Sequence, residues 1–546
     1  MDHTRALNRI RNVDVLRVAL KYAIYDRTHG DSFYDPFEIR DAVTNGETLI
    51  GELVEELRSP GQFQPRAAFA YFPPKNDLCD RRLIYIPIKD LTVRYAIAIV
   101  FSEQIETEIH PQCFANRRAS ESEASTRFTE DFSTGGWARF CQWQKERCGD
   151  KSVLIKTDIS SFYDSISHEY LIDSVVRHLS LPRESELVLL LRRILQIPVI
   201  YYSPRTGSIE GPTTIHQGLP IGDGVEGYLA NLYLKDVDDA MVQADAPYGR
   251  YVDDIRLFAD SRQDVIRYLS ILQEQLLRKG LNLNTFKTEI AEDPGSRQDM
   301  LSRLYQGGSY ESEEDEDAGS VIQAKVDSPL AEFSRTFAEA DKFERSSDAK
   351  DFCKFLGSHD TSGVPKVPLA QRDIWHVRRL VEVISRWRGP TKHAAWLLTQ
   401  TAIYTDVPES VKVFAGEALI KLLEDKAISP YSRYRIIHHL VKERTAGSSG
   451  SSFRFIDRLS VTHKNRIVAL APSYLVEPAF ELNLIALYLL KVTGSPASEL
   501  RNMAAKRRPG CEPLRNALDL AAKVNIGGMG AADSATEPDA TPEITS

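Results

Sequence analysis

Three acids carry the strongest chemical signal in the chain. Asp253 and Asp254 stand side by side in Tyr251-Val252-Asp253-Asp254, after Gly249-Arg250 and before the alternating run Ile255-Arg256-Leu257-Phe258-Ala259. Adjacent acids between two strand-like runs belong at a hairpin tip, where their carboxylates repel each other unless a cation lies between them. Hard oxygen ligands suit a divalent ion such as magnesium. Taken alone the pair is ambiguous, since an Asp-Asp turn is also a common solvated feature. A third acid, Asp158, ends the apolar run Val153-Leu154-Ile155-Lys156-Thr157 and precedes Ile159-Ser160-Ser161-Phe162-Tyr163-Asp164-Ser165-Ile166. It reads either as a partner to the pair or as a helix N-cap.

The elements around these acids alternate. Short β-type runs, 153–155 and 255–258, are interspersed with helical stretches such as 264–279. Glu311 to Asp317 then reads E-S-E-E-D-E-D, with Gly307, Gly308 and Gly319 around it, the composition of a solvated junction. Beyond it strand signals nearly vanish. Segments 375–387, 411–425, 433–443 and 483–491 carry apolar residues at helical spacing. The last residues, beyond Lys523, are mostly Gly, Ala, Ser, Thr, Pro and acids with no Lys or Arg, and predict a disordered tail.

Length and composition exclude several classes. With 546 residues the chain exceeds the size at which one core stops growing, so two or more domains are expected. No stretch approaches the roughly 20 consecutive apolar residues of a membrane span. The opening residues are amphipathic, with Arg9, Arg11, Arg17 and Lys21 interspersed and no apolar signal core, which predicts a cytoplasmic protein. Cys79, Cys113, Cys141, Cys148, Cys353 and Cys511 form no C-x2-C pair, so a zinc ribbon is excluded. The net charge of -9 argues against a uniformly basic nucleic-acid coat, although the acids are locally concentrated.

Taken in order, these segments resemble the palm of reverse transcriptases. Asp158 to Ile166 is similar to motif A and Tyr251 to Asp254 to motif C. Gln217-Gly218-Leu219-Pro220-Ile221-Gly222, followed by Leu229-Ala230-Asn231-Leu232-Tyr233-Leu234, resembles motif B. Gly280-Leu281-Asn282-Leu283-Asn284 with Lys287-Thr288 resembles motif D. Upstream, Pro74-Lys75 and Arg82-Leu83-Ile84-Tyr85-Ile86-Pro87 are similar to the fingers hairpin of group II intron and retron reverse transcriptases, and Phe114-Ala115-Asn116-Arg117 resembles the next block. The resemblance covers about residues 70 to 290. Motif B departs from the intron-type pattern by running four residues longer, from Gln217 to Asn231. That form, with a large helical C-terminal region, resembles the abortive-infection and "unknown group" reverse transcriptases of bacterial phage defence.

The resemblance implies an α+β right-hand polymerase with fingers and a ferredoxin-like palm, followed by an all-α C-terminal domain of HEAT-like helix pairs. The boundaries it suggests are 1–150 for N-terminal helices and fingers, 151–305 for the palm with a fingers insertion, 306–327 for the acidic linker, 328–524 for the helical domain and 525–546 for the tail. It implies two Mg2+ ions, with Mn2+ as an alternative, held by Asp158, Asp253, Asp254 and the Ile159 carbonyl. Lys75 and Arg82 are then triphosphate contacts, against a reading as solvated hairpin charges. Tyr163, five residues after Asp158, is then the aromatic that blocks a ribose 2′-hydroxyl, against a reading as a core residue. Gln217 and Gly218 sit near the incoming nucleotide and template base, against an ordinary turn. Lys287 neutralises or protonates pyrophosphate, against a surface lysine.

The expected partners are dNTPs, an RNA template and DNA product or either alone, synthesis being template-directed or template-independent, a non-coding RNA and further copies of the chain, without a membrane. Relatives in the abortive-infection group are oligomers, and some start DNA synthesis from a protein hydroxyl. A catalytically idle palm used as a nucleic-acid-binding scaffold is the competing reading, disfavoured by three retained acids. An RNA polymerase is disfavoured by the bulk of Tyr163. Trp375, Trp387 and Trp396 read as core, Lys506, Arg507 and Arg508 as a solvated helix end, and His438-His439 as neighbours on different helix faces.

Overall fold

The computed structural model describes residues 2–29, 33–120, 123–130, 135–202, 209–221, 224–306, 346–357, 367–446 and 451–502, less 476, 478, 497, 499 and 501. The acidic run 311–317, the tail 525–546, the basic cluster 506–508, Gly222 and Cys511 lie outside the described residues.

The strands are β1 (Ala68–Tyr71), β2 (Leu83–Tyr85), β3 (Val153–Asp158), β4 (Pro198–Tyr202), β5 (Ile209–Thr214), β6 (Tyr248–Tyr251), β7 (Asp254–Ala259), β8 (Glu289–Ala291), β9 (Glu443–Ala446) and β10 (Ser451–Arg454). They form a sheet ordered β6-β7-β3-β8, a second ordered β2-β1-β4-β5, and the two-stranded pair β10-β9. The first sheet is antiparallel throughout. In it β3 is central, and the two-residue period of a strand sends alternate side chains into different cores. Val153 and Ile155, with Ile255 and Leu257, enter a large core built around the helices Ile88–Ile105, His168–His178, Gly224–Gln243 and Arg262–Arg278. Leu154 and Phe258 face the other way, onto Phe114, Phe140 and Trp143 and onto Met300 and Leu301 of the helix Pro294–Gln306. Burial on both faces explains why β3 reads as an unbroken apolar run rather than an alternating one.

The same period makes the second sheet a wall between two cores. Ala68, Ala70, Ile84 and Val199 face the first core. Phe69, Tyr71, Leu83, Tyr85 and Ile200 face the C-terminal helices Ile374–Arg386, Thr391–Ile403, Glu409–Glu424, Pro430–Val441, Val461–Tyr474 and Phe480–Val492. The apolar surplus of these helices is used here: Tyr434 and Tyr488 are buried, and Trp375, Trp387, Trp396 and Phe414 pack partly buried against the same core.

The C-terminal region is not all-α. After the helix Pro430–Val441 the chain turns extended at Lys442, with φ -59° and ψ 127°, and β9 pairs with β10 from Glu443↔Arg454 to Ala446↔Ser451. Charge pairing explains the departure: Glu443 of β9 meets both Arg454 of β10 and Arg40 of the N-terminal region, so the strand is held by partners far away in sequence. No described helix is long and apolar enough to cross a membrane.

Gly249 of β6 shows how tightly the first sheet is backed. A Cβ there would lie 2.7 Å from the Trp143 ring, which is itself wedged against Phe258 at 5.3 Å and Phe114 at 5.7 Å. Gly249→Ala is expected to cost about 1–3 kcal/mol by overpacking. A lowered urea midpoint at unchanged slope is the readout.

Candidate active site

The hairpin tip forms because β6 and β7 are joined by only Val252 and Asp253, with Tyr251 paired to Asp254. Val252 has φ 58°, a left-handed conformation that a β-branched residue adopts at a cost of roughly 1–3 kcal/mol. Two contacts offset that strain. The Val252 side chain is buried in the main core, and its carbonyl accepts from Arg250 Nη1 at 3.3 Å. Arg250 is fully buried and makes a two-pronged ion pair with Asp238 at 2.8 and 2.9 Å. Its Nη1 also donates to Asn231 Oδ1 at 2.9 Å, and Tyr248 Oη donates to Asp238 at 2.9 Å. Burial alone would lower the Arg250 pKa, but Asp238 beside it raises it well above the ordinary arginine value. Asn231, from the segment likened to motif B, reaches across to the Ala115 carbonyl at 2.8 Å.

Strand register brings the acids to one end of the sheet. Asp158 lies opposite Asp254 across β3 and β7, and Ile159 N donates to the Asp253 carbonyl at 3.3 Å. Asp158 is buried, and the chain of the motif D segment closes over it: Asn284 N donates to the Asp158 carbonyl at 2.7 Å and Ser160 N to the Asn282 carbonyl at 2.9 Å. Lys287 then lies with Nζ 3.3 Å from Asp158 Oδ2.

Asp254 is held differently from its neighbours. Its carboxylate takes a two-pronged ion pair from Arg256, at 2.5 and 3.0 Å, whose buried guanidinium also donates to Gln144 Oε1 at 3.1 Å and lies 5.7 Å from the Phe140 ring. Among the described residues no three His, Cys, Asp or Glu side chains are gathered as a metal site. Asp254 lies directly opposite Asp158 in the register and is in addition paired with Arg256. Asp158 nevertheless faces a cation, the Lys287 ammonium, and with Asp253 and the Ile159 carbonyl it offers an all-oxygen donor set of the kind hard divalent ions prefer.

The turn after Asp158 packs on the segment likened to motif B. Leu219 N donates to the Tyr163 carbonyl at 2.9 Å and Gly218 N to the Ile166 carbonyl at 2.7 Å. Gly218 has φ 89°, and a Cβ there would lie 3.2 Å from the Asp164 carbonyl oxygen, so both conformation and space call for glycine. Its own carbonyl meets His168 Nε2 at 2.8 Å, and burial lowers the pKa of that imidazole. Gln217 is exposed beside this turn, its Nε2 3.4 Å from the Ser165 carbonyl. Tyr163 is half-buried against Phe162, ring centroids 5.4 Å apart.

Arg82 joins this group from the start of β2. It forms an ion pair with Asp164 and donates to Tyr201 Oη at 3.3 Å. Burial would lower its pKa, but Asp164 and then Tyr201 raise it. Lys75 lies half-buried in the turn between β1 and β2, its backbone N donating to the Cys79 carbonyl at 2.9 Å. That turn is docked on the C-terminal region: Asp77 accepts from Arg388 N at 2.9 Å, and Asp80 pairs with the Arg388 side chain at 2.5 Å.

Arg256, Gln144, Asp164 and the Arg250–Asp238 pair are site residues that sequence reasoning missed. Arg256 had a signal, because residues two apart on a strand share a face and Asp254 and Arg256 are so spaced. The other partners, many positions away, had none. A double-mutant cycle of Arg256→Met and Asp254→Asn should give a coupling of roughly 1–3 kcal/mol in denaturant unfolding. Additive single effects would show that the pair contributes nothing to stability.

Residues 92–359 match the family model described as reverse transcriptase (RNA-dependent DNA polymerase). The match takes in β3 to β8 and thus every site residue above except Lys75 and Arg82, which precede it. No curated protein matches the chain. Among solved structures it is similar to the RNA-dependent RNA polymerase of a human picorbirnavirus, at 17% identity over 41% of this chain and 41% of that one, with a TM-score of 0.27. Over residues 92–359 the chain thus resembles reverse transcriptases, and it spans less than half the length of the solved polymerase to which it is similar.

Proposed function

We propose that this chain synthesises DNA from dNTPs, with the acids at the β6–β7 turn and the end of β3 as its catalytic centre. The observation that carries the reading is the register that sets Asp158 opposite Asp254, with Ile159 N bound to the Asp253 carbonyl, inside the segment that matches the reverse transcriptase family. Asp158, Asp253, Asp254 and the Ile159 carbonyl are the groups to hold two divalent ions, Mg2+ in preference and Mn2+ as the alternative. When bound, such ions activate the primer 3′-hydroxyl and neutralise the departing pyrophosphate. Asp254, fixed by Arg256, sets the shape and charge of the turn from behind.

In this reading the 3′-oxygen attacks the α-phosphorus, a new phosphodiester bond forms and pyrophosphate leaves. Arg82 and Lys75 neutralise the triphosphate, and the planar guanidinium of Arg82 is suited to two-pronged contact with its oxygens. Lys287 is placed to follow the negative charge that develops on pyrophosphate. Tyr163 shuts out a ribose 2′-hydroxyl, and the Gly218 backbone, with Gln217 beside it, forms the floor under the incoming nucleotide.

The finer reading is a cytoplasmic enzyme of bacterial antiphage defence in the abortive-infection class, supported by the long interval from Gln217 to Asn231 and the large helical C-terminal region. With it go division into fingers (1–150), palm (151–305), linker (306–327), HEAT-like helical domain (328–524) and tail (525–546), self-association, and an RNA template or non-coding RNA partner.

Asp158→Asn and Asp253→Asn should each lower deoxynucleotide incorporation roughly a thousandfold, equivalent to about 4 kcal/mol, with an unchanged circular dichroism spectrum. Near-native incorporation by either variant would sink the polymerase assignment. Tyr163→Val should admit ribonucleotides that the parent rejects. A parent that already uses both sugars equally would remove Tyr163 from sugar selection.

A further inference from the structure

The helix Pro430–Val441 carries Arg435, His438 and His439 at spacing i, i+3 and i+4, which is one face of a helix. All three are more than nine-tenths buried, at 6%, 8% and 7% exposure. The two histidines do not diverge as adjacent helical residues are expected to. Their rings stack 5.3 Å apart at 20°, because His438 is clamped between Tyr434, at 5.7 Å and 16°, and Tyr34, at 5.1 Å and 27°.

Among the described residues the acids whose charge reaches the aromatic clamp are Glu481, which acts on Tyr434, and Glu443, which acts on Tyr34. Among the described residues none of the four ring nitrogens has a hydrogen-bond partner, nor has Arg435 Nε. Burial, and then Arg435, Lys442 and Arg444, hold both imidazoles well below their ordinary pKa, and Lys392 of the helix Thr391–Ile403 adds to this at His438. Glu443, the first acid after this helix in the chain, is already paired with Arg40 and Arg454. A neutral imidazole still offers one N–H donor, so the face presents two such donors beside a buried guanidinium. Buried donors and a buried cation are costly unless a partner completes them.

We propose that Arg435, His438 and His439 form a binding site for a phosphate group, with Lys392, Lys442 and Arg444 supplying further positive charge. A phosphate fits better than a carboxylate because its several oxygens can meet the guanidinium and both imidazoles of one helix face at once, while Lys392, Lys442 and Arg444 on neighbouring segments add positive potential. The site shares no residue with the acids of β3 and β7. It lies at the seam with the N-terminal region, where Lys442 Nζ donates to the Thr28 carbonyl at 3.4 Å and Tyr34 N donates to Tyr434 Oη at 3.4 Å. Occupancy would therefore brace that seam. The phosphate is either free, as phosphate or pyrophosphate, or carried by a nucleotide.

The test is calorimetric titration of the full chain, bearing Asp253→Asn and without divalent metal, with inorganic phosphate, pyrophosphate and a dNTP. Binding of phosphate or pyrophosphate supports a free-phosphate site, and binding of the dNTP alone supports a nucleotide site. In either case Arg435→Met and the double variant His438→Asn with His439→Asn should weaken it at least tenfold. Lys392→Met, on a half-exposed side chain of another helix, should weaken it severalfold and keeps the test decisive if the buried variants do not fold. No binding of any of the three at millimolar concentration, or binding that these substitutions leave unchanged, overturns the proposal.

Discussion

The buried ion pair between Arg250 and Asp238 is the interaction on which the acidic turn depends. It joins β6 to the helix Gly224–Gln243, and through Asn231 it reaches the Ala115 carbonyl, so three separate segments are fixed by one guanidinium. A pair this deep contributes little by itself, since removing two charges from water offsets most of their attraction. Loss of one partner is another matter: it strands a charge beneath a turn that already holds a β-branched residue at positive φ. The pair therefore specifies the turn more than it stabilises the fold.

A second constraint is the shared wall. Because β1, β2 and β4 bury both faces, the sheet cannot move without disturbing two cores, and the C-terminal helices hold in place the strands that lead to Arg82 and to Tyr201. The contacts of Asp77 and Asp80 with Arg388 extend that hold to the turn bearing Lys75. The helical region is thus part of the support for the segments that carry Lys75 and Arg82.

Much of this was legible in the sequence. The apolar run of β3, the alternation in β7 and the paired acids between strands announced the first sheet and the hairpin turn at its end, because strand period and turn chemistry act over a few residues. Gly218 read as a nucleotide neighbour or an ordinary turn, and the structure shows a tight turn in which a Cβ would meet the Asp164 carbonyl. What was hidden is pairing across distance. Nothing local links Arg82 to Asp164, Glu443 to Arg40, or Gln144 to Arg256, since side chains that meet through the fold leave no periodic trace. The β9–β10 hairpin is local, but the Arg40 that pairs with Glu443 lies some four hundred positions away, as does the Tyr34 on which His438 stacks.

Under the proposed function, the ion pairs of the site have a consequence for the order of binding. Arg82 rests on Asp164 and Lys287 on Asp158, so the cations suited to a triphosphate are neutralised by acids, one of which is suited to metal ions. The free protein acts as its own counterion reservoir. A polyanion that draws Arg82 and Lys287 away leaves carboxylates uncompensated, and a divalent cation that occupies Asp158 releases Lys287. Each arrival thereby raises the affinity for the other, a reciprocal linkage in which nucleotide and metal exchange for internal partners.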